Sequence, residues 1–427
     1  MNYEEALQYI HKVSWTGSRL GLHRTIELLD KIGNPHKKLK FVHIAGTNGK
    51  GSTASMIASV LKESGYRVGL YTSPFIHRFN ERMQVNGVEI GDDELAEMTT
   101  FIRPFAESME EYPTEFELIT ALAMEYFLRK ECDIVVLEVG MGGALDSTNV
   151  IDTPELAVMV SIGLDHTGEL GNTITEIAAT KAGIMKEGGD VVIYGQNPEA
   201  EVVFRTVAEE KHCQLYYPNY GALKMVSHDL TGLVFDYEED EGLKVPLVGT
   251  YQLYNAALAV TALKILIKKG WKITKESLRK GLAETTWRGR FELISKDPVV
   301  LVDGSHNPPG IKATAASLKA CFPEGGIVFL VGALADKDVA RMMDQLIPLA
   351  SEFVTVTPPS PRAMKAETLA ELMHTLTPLP ATAVSSIKEG CKLALEKAGE
   401  HGIVCALGSL YMVGDITRAM ESFLQES

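Results

Sequence analysis

The run FVHIAGTNGKGS, from Phe41 to Ser52, restricts this chain more than any other stretch. Phe41 to Ala45 is apolar and partly β-branched, as a buried strand requires. Gly46, Gly49 and Gly51 break that run before helical apolar spacing begins at Met56, Ile57, Val60 and Leu61. A buried strand leading through a glycine turn into a helix points to α/β architecture built on a mostly parallel sheet. The same turn makes an anion cradle. Its glycines let backbone N–H groups approach a ligand, the helix start adds amides and a positive dipole end, and Lys50 adds a full charge. Ser52 offers a hydroxyl to a magnesium ion. The spacing is a variant of the G-x-x-x-x-G-K-[ST] phosphate loop, since two residues separate Gly46 from Gly49 and Gly51 stands between Lys50 and Ser52. A glycine turn can stand without a ligand; Lys50 and Ser52 together favour the phosphate-binding reading.

The chain's 427 residues suit two or three domains, and 45% hydrophobic with 23% charged residues supports a substantial core. No stretch reaches the roughly 20 apolar residues of a membrane span, and the start MNYEEALQYIHKV lacks the basic-then-apolar plan of a leader. A cytoplasmic chain with no membrane partner is expected. The five cysteines have no paired spacing, which fits reduced thiols. A net charge of −15 opposes nucleic-acid binding and requires positive charge to be concentrated locally if the ligands are anions.

Other strand tips carry unusual residues. The apolar run Ile134 to Val139 contains Glu138 near its carboxyl end, just before Gly140-Met141-Gly142-Gly143. A carboxylate there needs a cation or donor, because unpaired burial is costly, so Glu138 is a candidate magnesium ligand. The run Leu156 to Ile162 ends at Gly163-Leu164-Asp165-His166-Thr167. In the helix expected over Thr175 to Met185, Ile177, Lys181 and Ile184 share one face, so Lys181 must snorkel, pair or lose its charge. Thr114 and Glu117 form a capping box for a helix to Lys130. A β-rich passage covers Gln214 to Val248, and a long helix reaches Lys269. Fresh strand–helix alternation starts near Glu292, giving domains 1–292 and 293–427: a mononucleotide-binding domain, then a smaller Rossmann-like α/β domain. With no G-x-G-x-x-G fingerprint, NAD is not the expected cofactor.

The wording GTNGKGS followed by YTSPFIHRFNER at Tyr71 to Arg82 resembles the Mur ligase superfamily, and within it the folylpolyglutamate and dihydrofolate synthases. Further matches are TEFE from Thr114, LDSTN from Leu145, LDH from Leu164, KAGI from Lys181, YNAA from Tyr254, GRFE from Gly289, DGSHNP from Asp303 and GSLYMVGD from Gly408. The resemblance covers nearly the whole chain. It implies that ATP is held by Gly46, Thr47, Asn48, Gly49, Lys50, Gly51 and Ser52, with Asn255 against adenine and Arg290 and Asp303 toward the nucleotide. It implies two magnesium ions at Ser52, Ser73, Glu138, His166 and a carbamylated Lys181. It implies a pterin pocket at Leu20, Gly21, Leu22, Thr114, Phe116 and Asp146, a substrate carboxylate at Arg82, and a glutamate site near His306, Ser409 and Tyr411. Lys50, Lys181 and His306 are the expected catalytic residues. Arg19, Ala144 and Arg288 depart from the family pattern.

The reaction implied is ATP-driven attachment of L-glutamate to a folate or dihydropteroate carboxylate through an acyl phosphate. It would run in a cleft where the two domains meet, in a chain acting as a monomer, and nothing in the sequence looks like a covalent nucleophile. Two other readings stand beside it. A muramyl-peptide ligase usually carries a preceding nucleotide-sugar domain, for which the stretch before Gly46 is shorter than the ~50 residues of a small domain. A phosphate-loop ATPase switch would hydrolyse ATP without an amino acid.

Overall fold

The computed structural model describes residues 1–12 and 21–426. The chain groups into two compact units, Met1–Gly221 with Asn255–Thr285, and Ala222–Tyr254 with Thr286–Ser427. Strand–helix alternation does not register the antiparallel passage after residue 222, whose contacts lie in the second unit. The division into 1–292 and 293–427 stands as a proposal.

In the first unit, α1 (Tyr3–His11) and α2 (His23–Lys31) precede β1 (Phe41–Ala45), which runs through the glycine turn into α3 (Lys50–Glu63). Then come β2 (Val68–Tyr71), β3 (Met83–Val85), β4 (Val88–Glu89), α4 (Asp92–Glu107), α5 (Glu115–Arg129), β5 (Ile134–Glu138) and β6 (Leu156–Met159). They are followed by α6 (Thr167–Leu170), α7 (Ile174–Lys181), β7 (Asp190–Ile193), α8 (Pro198–Glu210) and β8 (Gln214–Tyr216). Two later helices, α9 (Gln252–Lys268) from Asn255 onward and α10 (Lys275–Ala283), belong to this unit. The strands form one sheet in the order β4-β3-β2-β5-β1-β6-β7-β8, antiparallel only at β2–β3 and β3–β4. Every residue of β1, β5 and β6 is buried, and apart from His43 and Glu138 all are apolar, as in a parallel sheet covered on both faces. Helix α10 comes so close to α3 that a Cβ on Gly281 would lie 2.4 Å from the Val60 Cα.

In the second unit β9 (Leu223–Asp229), β10 (Gly232–Tyr237) and β11 (Asp240–Val245) form an antiparallel meander. A six-stranded sheet follows in the order β12-β13-β17-β14-β15-β16, from β12 (Glu292–Lys296), β13 (Val299–Val302), β14 (Ile327–Val331), β15 (Ala350–Thr355), β16 (Ala381–Ala383) and β17 (Ile403–Leu407). Only β12–β13 is antiparallel. Its helices are α11 (Pro308–Cys321), α12 (Val339–Asp344), α13 (Ala366–Leu376), α14 (Ile387–Ala398) and α15 (Val413–Glu426). Because β17 pairs with β13, the loops that begin at Asp303 and Gly408 emerge side by side. Among the described residues, no helix is long and apolar enough to cross a membrane.

Candidate active site

Strand β1 lies between β5 and β6, and the chain leaves it for β2 on one side while β6 continues to β7 on the other. In open α/β sheets, ligands bind beyond the carboxyl ends of the strands at such a divergence. The register pairs Ile44 with Glu138 and Ala45 with Met159, so the glycine turn, the β5 tip and the loop after β6 start at one level.

The turn is shaped by contacts that only glycine tolerates. At Gly46 (φ 149°) a Cβ would sit 2.1 Å from Val160 Cγ2. At Gly49 (φ 93°) it would sit 2.7 Å from Asn255 Oδ1, which puts the α9 amide directly against the loop. Thr47 then locks the turn to the segment after β6. Its N–H donates to the Ser161 carbonyl at 2.7 Å, its hydroxyl to the Gly163 carbonyl at 3.0 Å, and the Ser161 hydroxyl donates to the Asn48 carbonyl at 2.9 Å. The cradle is therefore rigid before any ligand arrives. The N-cap residue of α3 is Gly49, which offers no side-chain cap, and Lys50, Gly51 and Ser52 form the first turn.

Three ionisable side chains converge here. Lys50 Nζ stands 3.9 Å from Glu138 Oε1, and Glu138, 4% exposed, accepts the Ser73 N–H at 3.2 Å. Lys181 is 5% exposed and donates to the Gly46 carbonyl at 2.8 Å. Burial, reinforced by the Lys50 cation, brings its pKa down to about 7, against the pull of Asp165 and Asp146. The lysine on the apolar stripe thus partly loses its charge, and its neighbours Ile177 and Ile184 are fully buried, as the spacing predicts. The α-helix ends at Lys181, and Ala182–Ile184 tightens into a 3-10 turn. There a Cβ on Gly183 would meet the Ala144 backbone at 2.3 Å. His166, in the left-handed region (φ 49°), has Nε2 3.9 Å from the buried Asp165 carboxylate.

Among the described residues no three His, Cys, Asp or Glu side chains form a ready-made metal cluster. The donors at the cradle are hard oxygens, the Ser52 hydroxyl, the Ser73 hydroxyl and the Glu138 carboxylate. They fit magnesium, which usually takes one or two protein carboxylates and completes its shell with water and substrate phosphates.

A second group of expected residues surrounds the start of α5. Leu20 lies outside the described residues; Gly21 and Leu22 lead into α2. Arg24 of α2, 2% exposed, makes two 2.9 Å hydrogen bonds to Glu117. Glu117 accepts the Thr114 N–H at 2.7 Å and donates its own N–H to the Thr114 hydroxyl, so the capping box is present. The Phe116 ring covers Gly140, where a Cβ would lie 2.5 Å from Cζ. Asp146 is buried. That raises its pKa, while the Met141 and Thr148 donors counter the effect. Arg82, 5% exposed, lies over Phe75 at 5.3 Å and Phe79 at 5.6 Å. Its loop is held by Glu81, which accepts the N–H groups of Ile76, His77 and Arg78.

In the second unit Asp303 is fully buried and accepts from Phe291 N–H (2.7 Å), Ser305 N–H (2.9 Å), the Thr314 hydroxyl (2.9 Å) and the Tyr251 hydroxyl (3.4 Å). His306 Nδ1 is 2.9 Å from the Gly304 carbonyl, which can only accept, so Nδ1 carries the proton. Gly304 has no room for a side chain, since a Cβ would lie 2.3 Å from both Arg290 Nη1 and Leu410 Cδ2. Arg290, Asp303, His306 and the Ser409 loop thus form one locus. The Ser409 hydroxyl accepts the Tyr411 N–H, and Tyr411 is exposed. Motif reading passed over Arg24, the Thr47 lock and Asp165. Only Asp165 had a local signal, its place beside His166 at a strand tip.

Residues 44–263 match the Mur ligase middle domain and residues 289–410 the Mur ligase glutamate ligase domain. The chain belongs to the Mur ligase family. A folylpolyglutamate synthase of Lacticaseibacillus casei is 39% identical to it, covering 98% of this chain and 99% of that protein. A dihydrofolate synthase/folylpolyglutamate synthase of Bacillus subtilis is 38% identical over the same shares. Among solved structures, Escherichia coli FolC in complex with DHPP and ADP matches with a TM-score of 0.88 at 29% identity, covering 100% of this chain and 99% of that one. A complex of FPGS with AMPPCP and folate gives a TM-score of 0.85 at 36% identity, covering 99% and 100%. As a Mur ligase on this branch the chain is an ATP-dependent glutamate ligase, and its α/β architecture, with an N-terminal nucleotide-binding domain and a C-terminal domain, is the one the sequence predicts.

Proposed function

We propose that this Mur ligase joins the amine of L-glutamate to the carboxylate of a folate-type acceptor, either dihydropteroate or a reduced folate. The observation that carries the reading is the convergence of Lys50, Glu138 and Lys181 on a rigid phosphate cradle. The acceptor carboxylate attacks the terminal phosphorus of ATP, the bond to the bridging oxygen breaks, and ADP leaves with that electron pair. The glutamate amine then adds to the acyl phosphate carbon, loses a proton and expels phosphate. Acceptor, nucleotide and amino acid are all anions, so the local cations are what let them meet.

Lys50 neutralises charge on the phosphates, assisted by the amides of Gly46 to Ser52, while Asn255 meets the base and Arg290 and Asp303 also serve the nucleotide. Two magnesium ions, when bound, neutralise the phosphate oxygens and polarise the phosphorus; Ser52, Ser73, Glu138, His166 and Lys181 would hold them. An amine at Lys181 with a pKa near 7 is nucleophilic enough to add carbon dioxide, losing a proton as its N–C bond forms, and the resulting carbamate gives the site a further oxygen donor. The acceptor lies along Leu20, Gly21, Leu22, Thr114, Phe116 and Asp146 with a carboxylate toward Arg82, and His306, Ser409 and Tyr411 receive glutamate. The enzyme works as a cytoplasmic monomer.

Phosphate release with ATP, magnesium and glutamate, adding dihydropteroate, tetrahydrofolate or a muramyl peptide separately, tests the reading. Stimulation by a folate-type acceptor, and only with glutamate present, is expected. Release indifferent to every acceptor would mean an ATPase switch, and stimulation by the muramyl peptide alone a cell-wall ligase.

A further inference from the structure

His43 is a polar residue at the centre of an otherwise apolar strand, two positions before the end of β1, and it is 0% exposed. Its Nε2 lies 2.9 Å from Thr148 Oγ1, and that oxygen lies 2.6 Å from Asp146 Oδ1. Among the described residues no partner reaches Nδ1, although the atom is buried. A buried polar side chain in a central strand needs a reason, because apolar residues of its size would pack there without an orphaned nitrogen.

The proton directions follow from the partners. Asp146 accepts backbone N–H groups on both oxygens, from Thr148 on Oδ1 at 3.0 Å and from Met141 on Oδ2 at 2.9 Å, as an ionised carboxylate does. The single hydroxyl proton of Thr148 therefore goes to Oδ1, and Oγ1 has only lone pairs left to offer His43. The imidazole must donate from Nε2, which leaves its orphaned Nδ1 as a bare lone pair, a lesser cost than a buried N–H without an acceptor. Burial and the Lys186 cation bring the His43 pKa down to about 3, so the ring stays neutral and the direction of the chain is fixed. Thr148 fills both lone pairs of Oδ1, and Met141 takes one of the two on Oδ2. The Gly140 backbone N–H also bears on this carboxylate.

We propose that His43, acting through the Thr148 hydroxyl, is a positioning residue for the acceptor. It orients the Asp146 carboxylate toward an N–H donor of the acceptor's heterocycle, and it ties that loop to the strand carrying the phosphate cradle. The proposal rests on the reading that Asp146 faces the acceptor. A threonine and an imidazole that merely filled the core would affect folding alone; a positioning pair affects the KM of one substrate out of three.

The test is steady-state kinetics on the full chain, varying ATP, glutamate and a folate-type acceptor in turn. Thr148→Val, which keeps the shape and removes the hydroxyl, is expected to raise the acceptor KM about tenfold, the size of one lost charge-assisted hydrogen bond, while the KM values for ATP and glutamate stay within about twofold. Thr148→Ser is expected to restore the acceptor KM. An unchanged acceptor KM in Thr148→Val, an equal rise for ATP, or no rescue by serine overturns the proposal. Should Thr148→Val fail to fold, His43→Gln and His43→Asn carry the same test. The glutamine amide reaches Thr148 and keeps the acceptor KM low, whereas the asparagine amide falls short and raises it; equal values overturn the proposal. A wild-type chain that turns over no folate-type acceptor overturns the acceptor reading together with this inference, while normal wild-type turnover with indifferent variants overturns this inference alone.

Discussion

The two loci treat their buried acids in opposite ways. Glu138, at the tip of β5, faces an ammonium group that stands 3.9 Å away, inside ionic range and beyond hydrogen-bond reach, and a second lysine nearby holds its proton only weakly at neutral pH. Asp303, at the tip of β13, is saturated by four donors, two of them backbone amides that fix the course of its own loop. Equivalent positions on two α/β sheets thus carry acids of different use. The Glu138 carboxylate stands in ionic range of a cation, whereas Asp303 also holds the architecture of its own loop.

Two substitutions would break this contrast most directly. Lys50→Ala removes the cradle's full positive charge from an already folded loop, so phosphate release should fall by roughly a thousandfold or more, with unfolding free energy changed by less than about 1 kcal/mol. Asp303→Ala should lower stability as well as activity. It removes an acceptor shared by four donors, two of them in buried hydrogen bonds, which costs on the order of 3 kcal/mol, read as a lower denaturant midpoint. A Lys50 variant that unfolds, or an Asp303 variant of unchanged midpoint, would show that the two loci do not differ as described.

Lys181 sharpens the comparison through pH. The folded pKa is about 7, well below that of an ordinary lysine. At any pH between the two values the unfolded chain binds the proton and the folded chain does not, so stability rises with pH across that window. The full penalty is present below about pH 7. In carbon dioxide-free buffer the wild type should therefore gain about 2 kcal/mol relative to Lys181→Met between pH 7 and pH 9. A difference that stays flat over that range would mean the lysine keeps an ordinary charge.

The parts of the site that were legible in the sequence are those fixed by local pattern. The glycine turn between β1 and α3, the apolar stripe that buries Lys181 and the capping box of Thr114 each depend on residues a few positions apart. What escaped depends on distant partners or on a broken pattern. Helix α4 carries Pro104 in its interior, which interrupts the periodic signal. Thr47 matters because Ser161 and Gly163 come beside it when β6 pairs with β1, and Arg24 because α2 packs on α5, separations that no local window contains.

Ser409 marks the small end of the comparison, where architecture and binding are hardest to tell apart. Its hydroxyl accepts the Tyr411 N–H at 3.3 Å, a long hydrogen bond at the mouth of a short 3-10 turn, while the residue itself is 1% exposed. If capping is its whole task, Ser409→Ala costs about 1 kcal/mol or less and leaves the glutamate KM untouched, because a few tenths of that free energy do not move the loop. If the hydroxyl also meets the amino acid, the same variant keeps nearly all its stability and still raises the glutamate KM severalfold, with ATP and acceptor constants unchanged. We expect the second pattern, since Gly304 and Gly408 already fix the backbone here by contacts too close for a side chain, which leaves little for one weak cap to add.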